Sequence, residues 1–144
     1  MKKMKLLNAT KACLRVTIPI IALLALLPNS AKADGPDGAK LYVSANCVAC
    51  HQANGAGVPA TYPALMGNPI VAGDPDTIIK IVLIGPEKVL PPGSPKFAGQ
   101  MPPITGMSDA KIAAVVSYIR DKFGNGASAV DEDEVAKVKA ALPK

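Results

Sequence analysis

The second half of the chain carries its clearest helical pattern between two residues that typically bound a helix. Ser108 precedes the pattern as a capping residue, and Gly124 ends it. Asp109 places a negative charge in the first turn, where the helix dipole favours it. The apolar residues between them recur three and four positions apart: Ile112, Val115, Val116, Ile119 and Phe123. This segment is predicted to be an amphipathic helix with one buried face.

Two shorter helices are predicted on either side of this region. One runs from Gly38 to Ala45, and the other runs from Asp131 to Leu142, with acidic residues first and lysines last. Their apolar faces are Leu41, Tyr42 and Ala45 in the first and Val135, Val138 and Leu142 in the second. The acidic run 131–134 is interpreted as helix-capping charge, and docking of a partner is the alternative.

The segment from Asp76 to Ile84 fits two secondary structures. Its β-branched residues favour a strand. Asp76 as a cap and Gly85 as a stop favour a helix instead. A helix is predicted because the rest of the chain offers no strand to pair with it. The fold class is therefore all-α.

Two long loops separate the predicted helices. Residues Gln52–Gly73 are rich in Gly and Pro and have no sustained period. Residues Glu87–Gly106 hold five prolines, Pro91, Pro92, Pro95, Pro102 and Pro103. Loops of this length are uncommon in a compact domain unless they carry a function. We therefore expect long ordered loops, of which the second serves a site.

Residues 1–33 have the features of an export signal. Five basic residues and no acid occupy Met1–Arg15, an apolar run covers Ile18–Leu27, and Ala31-Lys32-Ala33 has the form of a cleavage site. The apolar run falls well short of the ~20 residues that a membrane-spanning helix needs, which disfavours a membrane anchor. Cleavage after Ala33 is predicted. It would leave residues 34–144 as a single domain in the periplasm that is not an integral membrane protein.

Removal of this signal changes the charge of the protein. The chain has a formal net charge of +5, but six of its sixteen Lys and Arg residues and none of its eleven acids lie in residues 1–33. The mature chain therefore has ten basic and eleven acidic groups, a net charge of −1. A basic surface for nucleic acid is excluded, because the positive charge leaves with the signal.

The candidate chemistry lies in one short stretch, Cys47-Val48-Ala49-Cys50-His51. A disulfide is possible after export, but a thioredoxin-like dithiol belongs beside a βαβ pattern, which the chain lacks. A structural zinc ion needs four ligands, and the mature chain supplies two Cys and one His. The C-x-x-C-H spacing is the attachment signature of c-type haem, with a thioether from each thiol and the imidazole beneath the iron. One covalently bound haem c is therefore the predicted cofactor.

The axial ligands of this haem iron follow from the residue inventory. His51 is the only histidine, so a second haem or a bis-histidine iron is excluded. The sixth ligand could then be Met, Lys, a weaker group or nothing. A methionine thioether would stabilise ferrous iron and suit an electron carrier, and the mature chain offers Met66, Met101 and Met107. Met101 is favoured because it lies fifty residues after His51, in the proline-rich loop. Met66 follows His51 by only fifteen residues, and Met107 adjoins the helix cap.

From Gly38 to about Gly124 the chain resembles a class I mono-haem c-type cytochrome. It is similar to small periplasmic cytochromes and to the cytochrome subunits of quinone-cofactor dehydrogenases. The matching features are Gly38, Leu41-Tyr42, Cys47-Val48-Ala49-Cys50-His51, Gly55-Ala56-Gly57, Tyr62-Pro63-Ala64-Leu65, Gly67-Asn68, Val82-Leu83, Gly85, Met101-Pro102 and Ile112 to Arg120. The resemblance implies three main helices around one covalently attached haem, with the first and last crossing. It also implies that Met101 is the sixth ligand and that the Pro63 carbonyl accepts from the His51 imidazole.

The chain departs from this family pattern in two places. The helical aromatic residue usually lies four positions before the first Cys, whereas Tyr42 lies five before Cys47. Either Tyr42 or Val43 could therefore pack on the last helix of the haem domain. The resemblance also covers residues 126–144 poorly, and these are expected to form a short helical extension.

An iron with two axial ligands and no acid or base beside it favours electron transfer over catalysis. The prediction is a monomeric periplasmic electron carrier that is not an enzyme. It would shuttle electrons from a dehydrogenase or quinol-oxidising donor to an acceptor such as an oxidase or reductase. The alternatives are a tightly bound cytochrome subunit of a periplasmic dehydrogenase and a haem sensor or peroxidase with an open sixth site.

Overall fold

The computed structural model describes residues 35–124 and 126–143, and it contains helices without strands in that part of the chain. The helices are α1 (Gly38–Ser44), α2 (Cys47–His51), α3 (Pro69–Ala72), α4 (Pro75–Ile84), a 3₁₀ turn (Pro86–Lys88), α5 (Asp109–Phe123) and α6 (Glu132–Ala140). The all-α prediction is therefore confirmed. The predicted export signal lies outside the described residues.

The ambiguous segment is helical, and the strand alternative is wrong. Helix α4 begins two residues earlier than a cap at Asp76 predicts, because Asp74 and not Asp76 is its cap. The Asp74 carboxylate accepts from the backbone N–H of Asp76 at 3.2 Å and from the Thr77 hydroxyl at 3.1 Å. Pro75 takes the first helical position, where its missing N–H costs nothing.

The first long loop is not wholly irregular, which corrects the prediction for Gln52–Gly73. It ends in α3, a single turn that Asn68 caps by accepting from the Ile70 N–H at 2.9 Å. Pro69 again occupies the first helical position. Val71 of this turn is buried in the core. The turn therefore brings the loop back against the main helices.

Helices α1 and α5 pack against each other. Gly38 lies at their contact, since a Cβ there would overlap the carbonyl oxygen of Ala114 and lie 2.7 Å from the Cβ of Tyr118. The close approach of the two backbones thus requires glycine at position 38, because any side chain there would clash. The apolar stripe of α5 is buried at Ile112, Val115, Val116, Ile119 and Phe123, as its spacing predicts.

An aromatic cluster fills this contact. The ring centroid of Tyr42 lies 5.6 Å from that of Tyr118 and 5.6 Å from that of Phe123, and the latter two are 6.0 Å apart. Tyr42 is buried, whereas 60% of Val43 is exposed. Tyr42 is therefore the residue that packs on α5, which resolves the choice that the sequence left open.

The C-terminal extension is fastened to α5 through two polar side chains. Ser117 accepts from the Val130 N–H at 2.8 Å, and its hydroxyl also lies 3.0 Å from the Val130 carbonyl oxygen. Arg120 is only 2% exposed. Its guanidinium donates to the Ser128 carbonyl at 2.7 Å and to the Ser128 hydroxyl at 3.2 Å. The extension is thus an ordered part of the fold.

Arg120 also reaches the opposite side of the domain. It donates to the carbonyl oxygens of Val71 at 3.0 Å and Gly73 at 2.8 Å, so one guanidinium joins α3, α5 and the extension. Within the described residues no carboxylate lies within 4.0 Å of it. Its buried charge is therefore solvated by neutral oxygens, which is the condition for burying a polar group at tolerable cost.

Helix α6 begins with the capping that the acidic run predicts. The Asp131 carboxylate accepts from the Glu134 N–H at 2.8 Å, and the Glu134 carboxylate accepts from the Asp131 N–H at 2.9 Å. Val135 and Val138 are buried, and Leu142 is half-buried. Among the described residues, no helix is long and apolar enough to cross a membrane.

Gly38→Ala is expected to lower the free energy of unfolding by about 1–3 kcal/mol, because the added methyl group overpacks the contact between α1 and α5. Chemical denaturation of the haem-loaded protein measures this loss. Ala39→Ser is the matched control in the same helical turn, since Ala39 is exposed. We expect the control to change stability by less than about 0.5 kcal/mol. Equal stabilities for the two variants would contradict the close helix contact.

Candidate functional site

The predicted attachment residues lie together on α2, a short helix that the sequence did not predict. Asn46 precedes it with φ 63° and ψ 18°, a left-handed conformation that asparagine tolerates better than most residues. This residue joins α1 to α2 directly before Cys47. Cys47 and Cys50 are both partly buried.

The His51 side chain is oriented by a backbone carbonyl. Its Nδ1 atom lies 3.0 Å from the carbonyl oxygen of Pro63, and the residue is 8% exposed. The His51 backbone is held as well, since its carbonyl accepts from the Gly57 N–H at 3.1 Å. A Cβ on Gly57 would lie 2.5 Å from the Pro63 carbonyl oxygen, so only glycine permits this approach.

The other ring nitrogen of His51 is available for a ligand. Nε2 makes no hydrogen bond within residues 35–124 and 126–143. In the same residues, every fully buried side-chain nitrogen or oxygen has a hydrogen-bond partner. Nε2 is therefore not fully buried, and a ligand can reach it. A neutral imidazole whose Nδ1–H is donated to a carbonyl presents its Nε2 lone pair to a metal.

The residue that follows the histidine has an unfavourable backbone conformation. Gln52 has φ 63° and ψ 163°, a region that is essentially restricted to glycine and costs on the order of 1–3 kcal/mol. Its carbonyl accepts from the buried Tyr42 hydroxyl at 2.8 Å. Burial raises the pKa of Tyr42 far above its ordinary value, so the hydroxyl keeps the proton that it donates.

The two thiols have different surroundings. Cys47 packs against the hydrophobic core, and this burial raises the pKa of its thiol. Tyr62 lies beside Cys50, whose hydrogen bonding raises the pKa of the Tyr62 phenol. Tyr62 directly precedes Pro63, so the same short segment contacts Cys50 and the His51 ring. The predicted site residues from Cys47 to Pro63 are therefore brought together.

The proline-rich loop that carries Met101 is attached to this segment. Backbone N–H groups of Ala98 and Gly99 donate to the carbonyls of Ala60 and Thr61 at 3.0 and 2.9 Å. Gly99 also packs directly against the Tyr62 ring. Farther along, the Ile104 N–H donates to the Val82 carbonyl at 2.9 Å, which fixes the loop to α4. The loop is thus anchored on both sides of Met101.

The three candidate methionines differ in burial. Met66 is 57% exposed, whereas Met101 and Met107 are partly buried against the core. The Met101 backbone follows closely after Gly99, and its carbonyl oxygen would lie 3.4 Å from a Cβ on Gly85. Of the two partly buried residues, Met101 is the one in the segment joined to the backbone of Ala60 and Thr61. Its assignment as an axial ligand stays a prediction.

The donor set of these residues fits a c-type haem. Two thiols and an imidazole with an available nitrogen share one short helix, and a partly buried thioether lies on a loop tied to that site. Sulfur and imidazole donors are the ligands that haem iron takes in electron-transfer proteins. Cys47 and Cys50 would hold the group covalently, and His51 and Met101 would hold its iron.

Three supporting features were missed by sequence reasoning. They are the Tyr42 hydroxyl bond, the Gln52 conformation and the tight passage of Gly57 beneath Pro63. Only the last had a signal, since a Gly-x-Gly run close after a metal ligand indicates close backbone approach. The first two depend on backbone geometry that residue types alone do not specify.

Comparison with known proteins identifies the family. The cytochrome c family model matches residues 36–122. The cytochrome c subunit of the quinone alcohol dehydrogenase of Gluconobacter oxydans is 36% identical over 109 residues, which is 73% of this chain and 22% of that protein. Cytochrome c-552 of Thermus thermophilus is 34% identical over 113 residues, covering 72% of this chain and 85% of that protein. The cytochrome c subunit of the gluconate 2-dehydrogenase of Pantoea cypripedii is 37% identical over 110 residues, 74% of this chain and 24% of that protein.

This chain therefore spans most of the length of cytochrome c-552 but only about a quarter of the length of the two dehydrogenase subunits. Proteins of this family carry haem c covalently, and Cys47, Cys50 and His51 fit its attachment motif. The resemblance and the cofactor predicted from the sequence are confirmed. The chain belongs to the cytochrome c family.

Proposed function

We propose that this protein is an electron carrier whose single haem c is bound by Cys47 and Cys50 and ligated by His51 and Met101. The observation that carries the proposal is the His51 ring, with Nδ1 3.0 Å from the Pro63 carbonyl oxygen and Nε2 left for the iron. A ring held in this way is pre-oriented for ligation. Pro63 is thus proposed as the residue that orients the ligand.

When bound, the haem supplies an iron that takes up and releases one electron. The protein's part is to keep both axial positions filled and the ring orientation constant, so that little rearrangement accompanies the change of charge. The anchored Met101 loop and the His51–Pro63 contact serve this purpose. With both axial positions filled, no substrate can reach the iron, so we propose electron transfer without catalysis.

We propose that the carrier acts in the periplasm after cleavage behind Ala33, as a monomer between a donor and an acceptor protein. The names of its relatives, which include subunits of quinone-dependent alcohol dehydrogenase and gluconate dehydrogenase, support a dehydrogenase as donor. The same similarity favours a second candidate, a permanently bound subunit of such an enzyme. The coverage of cytochrome c-552 supports the free carrier, since that small protein is matched over 85% of its length.

Purification from the native cells tests the choice between carrier and subunit. A free carrier is expected to elute at the mass of one mature chain and to be reduced by a separately purified dehydrogenase. It should then be reoxidised by an added terminal oxidase or reductase. Stable co-elution with a large chain through ion exchange and gel filtration would establish the subunit instead. Tight binding of carbon monoxide to the ferrous protein would contradict both and support an open sixth site.

A further inference from the structure

Gln52 directly follows His51, and hydrogen bonds to its backbone N–H and carbonyl hold it in its unfavourable conformation. The Gln52 N–H donates to the Val48 carbonyl at 3.0 Å, while the Gln52 carbonyl accepts from the Tyr42 hydroxyl at 2.8 Å and from the Gly55 N–H at 3.2 Å. The Gln52 side chain is exposed. Burial of the Gln52 side chain therefore does not compensate for the position of its backbone in a region that favours glycine.

Among these partners, Tyr42 is the one that comes from another helix. Its ring is fixed in the aromatic cluster with Tyr118 and Phe123, so its hydroxyl is a rigid donor. The bonds from Val48 and Gly55 belong to the same short chain segment and can move with it. The hydrogen bond from the Tyr42 hydroxyl thus fixes the position of the Gln52 carbonyl relative to the core of the protein.

We propose that Tyr42 is a positioning residue for the axial histidine, and that its hydroxyl holds Gln52 in place so that the His51 ring stays against the Pro63 carbonyl. Without the hydroxyl, Gln52 relaxes toward a negative φ and the adjoining His51 backbone shifts. The contact between Nδ1 and the Pro63 carbonyl then lengthens. The inference rests on the proposed function of His51 as an iron ligand.

A weaker Nδ1–H bond changes the iron's redox equilibrium in a defined direction. Donation of this proton to a carbonyl makes the imidazole a stronger electron donor, which favours the ferric state. Loss of the bond should therefore shift the equilibrium toward ferrous iron. Because the bond exists in both oxidation states, the full strength of an ordinary hydrogen bond, equivalent to about fivefold, is the upper limit of this change.

Tyr42→Phe tests the proposal, because it removes the hydroxyl and keeps the ring. At a fixed applied potential, the ferrous-to-ferric ratio should rise by up to about fivefold. In the diamagnetic ferrous protein, hydrogen–deuterium exchange of the His51 Nδ1 proton, followed by NMR, should accelerate by a similar factor. Tyr118→Phe is the matched control from the same cluster, since the Tyr118 hydroxyl bonds to no residue that the structure describes. Equal values for the two variants would overturn the proposal.

Gln52→Gly supplies the second test, since glycine adopts the observed conformation without strain. In the Gln52→Gly protein, Tyr42→Phe should change both readouts by less than half as much as it does in the wild type. Glycine is unstrained in this conformation, so the hydroxyl is no longer needed to hold it. Gln52→Ala keeps the strain and should leave the full effect. If Tyr42→Phe acts equally on all backgrounds, Tyr42 does not work through Gln52 and the proposal fails.

The same NMR spectra separate this inference from the proposed function. If His51 is an axial ligand, the haem ring current must shift its ring protons strongly upfield in every one of these proteins. Unshifted ring protons in the wild type would refute His51 as a ligand. Shifted protons together with an ineffective Tyr42→Phe would refute only the role of Tyr42.

Discussion

Met101→Ala is expected to remove the sulfur-to-iron charge-transfer band of the ferric protein and to lower the reduction potential. A thioether stabilises the ferrous state, so its loss favours the ferric state. Because axial ligands set haem potentials over about 0.8 V, the decrease should be on the order of 0.1 V or more. The vacated position should also bind added imidazole. Absorption spectra and redox titration of the purified protein measure these changes.

The other two methionines of residues 34–144 are the matched controls. Met66→Leu replaces an exposed side chain, and Met107→Leu replaces one that is partly buried against the core. Both should keep the charge-transfer band and the potential. If the band survives in Met101→Ala and disappears in one of the controls, the ligand is misassigned. If all three variants keep it, the sixth ligand is not methionine.

Replacing Cys47 and Cys50 together by serine is expected to abolish covalent attachment of the haem. Serine cannot form the thioethers, so acid–acetone should extract any haem that remains bound. In the wild type the haem should resist extraction, and the denatured mass should equal residues 34–144 plus one haem. Mass spectrometry and absorption of the extracted protein measure both outcomes.

Cys13→Ser is the control, because the third cysteine lies within residues 1–33 and is predicted to leave with the export signal. It should leave the haem content and the mass of the mature protein unchanged. Extractable haem in the wild type would refute attachment through the two thiols. A wild-type mass that still includes Met1 to Ala33 would refute cleavage and restore the membrane-anchor alternative.

The main helices could be predicted because their signals are local. Ser108 and Gly124 bound α5, and the apolar stripe between them needs no knowledge of the rest of the fold. The start of α4 was misplaced because Asp74 and Asp76 are both capping residues. Pro75 decides between them, since proline belongs at the first helical position and follows Asp74 directly. The error was one of weighing the signals.

Other features of the fold and the site could not be predicted from residue types. Helices α2 and α3 have five and four residues, too few for a periodic pattern. The Pro63 acceptor is a backbone carbonyl, which every residue possesses, so only the family resemblance pointed to it. Gln52 occupies a conformation that its residue type disfavours, and such local conflicts are typical of functional sites. Arg120 would ordinarily be placed on the surface.

The buried guanidinium of Arg120 makes the attachment of the C-terminal extension insensitive to ionic strength. Its partners are neutral oxygens in a region that solvent ions do not reach, so added salt screens these bonds little. A further side-chain link of the extension to α5, the Lys139–Asp109 pair at 2.8 Å, lies at the surface and weakens as salt rises. Concentrated salt is therefore expected to weaken this surface pair and to leave α6 bound, because Val135 and Val138 are buried and Arg120 keeps its neutral partners.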